Sequence, residues 1–150
     1  MSHSYSRVAI HLIFSTKYRH RMITDEIRSE LHAYLIGILR HLESPSIRTN
    51  STPEHVHSLF LLSKKHALDH VVEEVKRGSS KWIKSKDPVF ADFYWQLGYA
   101  AFSVGQTGID RVIEYIDRQQ EHHRTVSFEE EVRALFHRYG EPFDEHDFFE

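Results

Sequence analysis

The order of periodic segments in this chain predicts an α+β fold, a ferredoxin-like (RRM-like) antiparallel sheet with helices on one face. Three observations carry that expectation. Short apolar, β-branched runs alternate with longer stretches of helical spacing in the order strand, helix, two strands, helix, strand. Further helical segments follow the last strand and hold the tyrosine discussed below. A length of 150 residues fits one domain spanning 1–150, with an acidic tail over about 140–150.

The first strand is read in Val8 to Phe14, apolar and β-branched. Thr24 is placed to cap a helix over about 25–42, where Asp25 and Glu26 complement the helix dipole. Ile27, Leu31, Tyr34, Leu35, Ile38 and Leu42 form its inward stripe, and Ser44-Pro45 stops it. Ile47 to Asn50 reads as a second strand and His55 to Leu62 as a third. A second helix is expected over about 68–84, with Val71, Val72, Val75 and Trp82 inward and Asp87-Pro88 as its end. The aromatic run from Phe93 to Val104 reads as strand, or loop into strand. A helix over about 109–122 follows, and a last one over about 127–137 opens on a capping box, Ser127 with Glu130.

Composition excludes several classes. An apolar fraction of 40% and a charged fraction of 27% are those of an ordinary globular protein. No apolar run reaches the roughly 18 residues of a membrane span, and no secretory signal is evident, so a cytoplasmic location is expected. With 0 cysteines, any metal must take nitrogen and oxygen ligands. The net charge of −3 counts against strong nonspecific nucleic-acid binding. Charge is uneven, however: cations outnumber acids from Lys64 to Lys86, whereas Glu141 to Glu150 holds five acids and no Lys or Arg. A basic working face is compatible with that pattern.

Among 13 histidines, His55 and His57 stand out. Residues two apart on a strand point to the same face, so both imidazoles project together and can share a divalent cation. Tyr115 and Gln119, four apart, stack on one helix face. Tyr115 reads either as a half-buried amphipathic residue or as a nucleophile acting beside a metal that polarises a phosphate. In the second case Gln119 contributes an amide oxygen to a His-His-Gln site, a set that suits Mg or Mn. Lys76, Arg77, Ser79, Ser80 and Lys81 offer phosphate contacts and Trp82 a stacking surface, or else they form a solvated helix face around a core tryptophan. Lys17 and Arg19 have the same standing. His122 and His123, about 100° apart on a helix, read as a solvated helix end rather than as shared ligands.

Taken together, His11 to Arg19, Pro53 to Phe60, Val75 to Ile83, Trp95 to Val104 and Val112 to His123 resemble the HUH transposases with one catalytic tyrosine. These are the small enzymes of minimal bacterial insertion sequences and the REP-associated tyrosine transposases; Ser127 to Glu131 adds to the likeness. The resemblance implies a DNA transposase acting on single-stranded DNA near hairpins through a 5′-phosphotyrosine intermediate. It assigns the nucleophile to Tyr115 and the metal ligands to His55, His57 and Gln119. It also implies a homodimer in which Tyr115 and Gln119 of one subunit serve His55 and His57 of the other. Two other classes stand beside it: a nucleic-acid-binding module of the same fold without cutting activity, and a metal enzyme acting on a small molecule.

Overall fold

The structure, a computed structural model, describes residues 3–150. Four strands, β1 (Ala9–Ser15), β2 (Ser46–Ser51), β3 (His55–Leu61) and β4 (Ala100–Val104), form one antiparallel sheet in the order β2-β3-β1-β4. Helices α1 (Asp25–His41) and α2 (Leu68–Lys86) are the crossovers between them. This is the α+β sandwich that the segment order predicts. Helices α3 (Ile109–Asp117), α4 (Gln119–His122), α5 (Phe128–Tyr139) and α6 (Glu145–Phe149) complete the chain. No helix among the described residues is long and apolar enough to cross a membrane.

The period-2 alternation of β1 and β3 gives the sheet two different faces. Ile10, Leu12 and Phe14 of β1 join Val56 and Phe60 of β3 against α1 and α2, in a core with Leu31, Leu35, Val75 and Ile83. On the other face lie Ala9, His11, Ile13, His55, His57 and Leu59, all buried. That face is covered from both ends. Ile109 and Ile116 of α3 pack on Ala9 and Leu59. Phe128, Val132 and Phe136 of α5 pack on Ile13, Ala100 and Phe102.

Three local details differ from expectation. Thr24 occupies the cap position of α1 but makes no side-chain capping bond. The helix predicted over 109–122 breaks at Arg118 (φ −96°, ψ 13°), so Gln119 opens a separate short turn. Trp82 is only half-buried and stacks on Tyr34 at 5.3 Å, with Lys86 over its ring. The predicted cap of α5 is present: the Ser127 hydroxyl accepts the Glu130 N–H at 3.1 Å. Gly140 ends α5 at φ 66°, the left-handed conformation that glycine adopts without a Cβ penalty.

Candidate metal and nucleophile site

His55 and His57 lie on the face of β3 that α3, α4 and α5 cover, and both are fully buried. Each is oriented by a partner on its Nδ1. His55 Nδ1 lies 2.7 Å from Thr52 Oγ1, and His57 Nδ1 lies 2.8 Å from Nε2 of His11 on β1. With a proton on each Nδ1, the two rings donate to Thr52 and His11 and leave both Nε2 lone pairs facing inward. An outer partner that fixes tautomer and ring angle is the usual support of a metal-ligating histidine.

Gln119 arrives at the same point because the segment that carries it is tied to β2. Asn50 donates to the Ile116 carbonyl at 2.7 Å, and Gln120 donates to Asn50 Oδ1 and to the Ser51 carbonyl at 2.9 Å each. Gln119 is thereby fully buried, with its Oε1 3.2 Å from His55 Nε2. Tyr115, half-buried one turn earlier, has its ring centroid 5.7 Å from that of His57. One chain therefore brings together all four residues expected at the site, without a second copy.

At the centre lies a residue that the sequence reading did not single out. Glu131, the fourth residue of α5, places Oε1 3.1 Å from His57 Nε2 and 3.4 Å from His55 Nε2. Its Oε2 accepts hydrogen bonds from the Tyr115 phenol and, at 2.9 Å, from the Gln119 amide. His123 is also present, with its Nε2 3.1 Å from Glu131 Oε1 and its ring 4.5 Å from that of His55. His122 approaches Oε2 at 3.7 Å from the more open side. The expectation of a solvated helix end thus fails for His123. The turn after α4 swings it inward, and its side chain is only 9% exposed.

The electrostatics follow from burial and crowding. Burial, helped by the proximity of His57, lowers His11 from 6.5 to about 3. Burial lowers His55 to about 4, against the opposing pull of Glu131. Burial alone would raise the Glu131 carboxyl, but His57, His123 and His55 around it outweigh that and hold it well below the usual carboxylate range. Burial and then the Glu131 charge push the Tyr115 phenol well above its ordinary range. In helix α1, burial and then Arg28 lower His32 to about 4.

A stability prediction follows from His11, His32 and His55. In the unfolded chain each takes a proton near 6.5, whereas in the fold it stays neutral down to about 3 or 4. Their contribution is complete above 6.5 and is lost as pH falls from there toward the folded values. Thermal melts in EDTA should therefore be flat between about pH 7 and 8 and drop steadily below about 6.5. Replacing His32 by Gln should make that drop shallower; a melting point that held steady down to about pH 4.5 would contradict the assignment.

The structure separates the residues expected to touch DNA. Arg77 and Lys81 are exposed on α2, although Arg77 is paired with Glu73 and Glu74. Ser80 is half-buried in a cavity beside Lys76 and Arg77. Ser79 is a correction. It is fully buried, its hydroxyl donates to the Val75 carbonyl and accepts the Trp95 indole N–H at 2.9 Å, and no strand can reach it. Lys76 donates to the carbonyls of Gln96 and Gly98, and burial lowers its ammonium to about 8. Lys17 sits 5.5 Å from the Tyr18 ring and 5.9 Å from that of Tyr94, near the surface. Arg19 pairs with Glu129 and donates to the Phe149 carbonyl at 2.9 Å.

Residues 4–119 match the family described as IS200-like transposases. The chain belongs to that family. The ISDra2 transposase TnpA of Deinococcus radiodurans is 24% identical over 116 residues, 74% of this chain and 83% of that protein. Among solved structures, a candidate transposase from Deinococcus radiodurans R1 superposes with a TM-score of 0.62 at 25% identity, covering 79% of this chain and 96% of the other. A REP-associated tyrosine transposase bound to a REP hairpin gives a TM-score of 0.62 at 15% identity, over 84% of this chain and 74% of that one. At that identity the second structure speaks for the fold alone. Glu131 and His123 lie beyond the last residue of the family match, 119.

Proposed function

We propose that this family member cleaves and rejoins single-stranded DNA by attack of Tyr115 on a phosphodiester, at a divalent metal centre built on His55, His57, Gln119 and Glu131. The observation that carries this reading is the convergence of two imidazole Nε2 atoms, an amide oxygen and a carboxylate beside a tyrosine hydroxyl. The donor set fits a cation. In the tautomer protonated at Nδ1, the one a metal-ligating ring adopts, His55 Nε2 faces Gln119 Oε1 at 3.2 Å and Glu131 Oε1 at 3.4 Å as bare electron pairs. Such an arrangement is costly without a proton or a positive ion between the atoms.

When bound, the cation supplies a Lewis acid for the non-bridging oxygens of the scissile phosphate. The protein's residues divide the remaining work. Glu131 holds the phenol through Oε2 and accepts its proton as the Tyr115 oxygen forms the new bond to phosphorus. The bond to the 3′-oxygen breaks, and that oxygen leaves as a hydroxyl after taking up a proton. The 5′-phosphotyrosine link conserves the phosphodiester for a later attack by a 3′-hydroxyl. Access is from the outer side of α3 and α4, where a groove of about 680 Å³ exposes Tyr115 between Arg111, Arg118 and His122. Lys17 and Lys81 are the sequence-predicted cations placed to meet phosphates, and Arg77 can do so only by leaving Glu73 and Glu74.

Incubating the protein with Mg or Mn and labelled single-stranded hairpin DNA should yield a covalent protein–DNA band on a denaturing gel. EDTA should remove it. Tight binding of the same DNA with no band under any divalent ion would replace this reading with a non-cutting binding module.

A further inference from the structure

The donor set around Glu131 is larger than the four residues just assigned. Oε1 of Glu131 lies within 3.4 Å of three imidazole Nε2 atoms, those of His57, His55 and His123. The three rings share one carboxylate oxygen, and His55 Nε2 also faces Gln119 Oε1 at 3.2 Å; the ligand atoms form two groups joined at Glu131, one with His55 and His57 and one with His122 and His123. His123 Nδ1 is a buried nitrogen without a hydrogen-bond partner, so no outer bond commits this ring to its present tautomer. The neighbouring His122 is less enclosed: its Nε2 lies 3.7 Å from the other oxygen, and its side chain is 33% exposed.

We infer that His123 is a ligand of the metal centre, and that a site of three imidazoles and a carboxylate selects a first-row transition ion over Mg2+. The inference rests on the reading of His55 and His57 as metal ligands. The selectivity follows from the donors. Mg2+ favours an octahedron of oxygens and keeps its water, whereas imidazole nitrogen suits the transition ions. Oxygen donors remain in Glu131 and Gln119, but three of the five donors are nitrogen. His123 lies four residues past Gln119 and Glu131 twelve, so the extra ligands come from the segment that folds back over the sheet.

The test is titration of Co2+ and, separately, Mg2+ into the full metal-free chain, followed by calorimetry and by the visible absorption of bound Co2+. Co2+ should bind at least about tenfold more tightly than Mg2+. His123→Ala should weaken Co2+ by at least about tenfold and change its absorption bands, while His122→Ala stays within about twofold. Circular dichroism of each metal-free variant checks the fold. If His123→Ala does not fold, His123→Phe keeps the ring volume without its nitrogens and replaces it in the test. A His123 variant with wild-type Co2+ affinity and spectrum, alongside loss of binding in His57→Ala, would overturn the role of His123 alone. Mg2+ binding as tight as Co2+ would overturn the selectivity. No ion bound by the wild type, or full binding by His57→Ala, would overturn the metal centre itself.

Discussion

Tyr115→Phe is expected to bind single-stranded hairpin DNA as the wild type does and to form no covalent adduct. Losing a nucleophile costs on the order of 10⁴ to 10⁶ in rate, so the band should fall below detection. The structure gives the reason for expecting so large an effect from so small a change. The Tyr115 ring packs with Val112 and Ile113 beside Ile116 and Leu59, and phenylalanine keeps that packing. Only the hydroxyl and its bond to Glu131 are lost. The fold should tolerate the change, because the phenol is half-buried and opens onto the α3–α4 groove. The readouts are a denaturing gel for the adduct and a binding titration with the same DNA. Wild-type adduct from the Tyr115→Phe protein would remove Tyr115 from the chemistry.

The surroundings of the phenol set its protonation state. Burial and the adjacent carboxylate both favour the neutral form of the Tyr115 phenol. Glu131 is the pivot of that arrangement. One of its oxygens faces the imidazoles and the other faces the phenol, so charge withdrawn at Oε1 is felt at the Tyr115 hydroxyl. In the proposed reaction, the carboxylate that holds the phenol neutral is also the one that would take its proton.

The legible parts of this site were those set by short-range periodicity. Strand parity alone places His55 and His57 on one face, and a four-residue spacing places Tyr115 over Gln119. Burial of Glu131 and of His11 depends on contacts between segments far apart in sequence, 74 residues in the case of Glu131 and His57. Yet a signal was present for each. Phe128, Val132 and Phe136 form the apolar stripe of α5, and Glu131, three residues after Phe128, falls on that stripe as a charged residue with no reason to be there. His11 interrupts the apolar strand at the parity of Ala9 and Ile13. The same rule corrects Ser79, which lies four residues after Val75 and four before Ile83, on the buried side of α2. Polar residues on an otherwise apolar face were the informative positions, whether they proved to be site residues or structural ones. His123 had no such signal, since its inward turn depends on the break at Arg118 and the short helix after it.

Mixing Tyr115→Phe protein with His57→Ala protein is expected to restore no adduct. Each chain already contains a complete set, with His55 Nε2 3.2 Å from Gln119 Oε1 and Glu131 bonded to the phenol of its own chain. Sharing a site between subunits would require α3 and α4 to leave this position and take Gln119 and Tyr115 with them. That movement would break the Asn50 bond to the Ile116 carbonyl and both Gln120 bonds to β2, and would uncover Ile109 and Ile116 from Ala9 and Leu59. An exchange would have to remake each of these bonds, and those of Tyr115 and Gln119 to Glu131, with α3 and α4 of the other copy. A homodimer of this chain would then carry two sites, each closed within one subunit. The decisive comparison uses heterodimers confirmed by differential tagging: adduct formed there at about half the wild-type level would show that α3 and α4 exchange between subunits, and its absence fixes the site in cis.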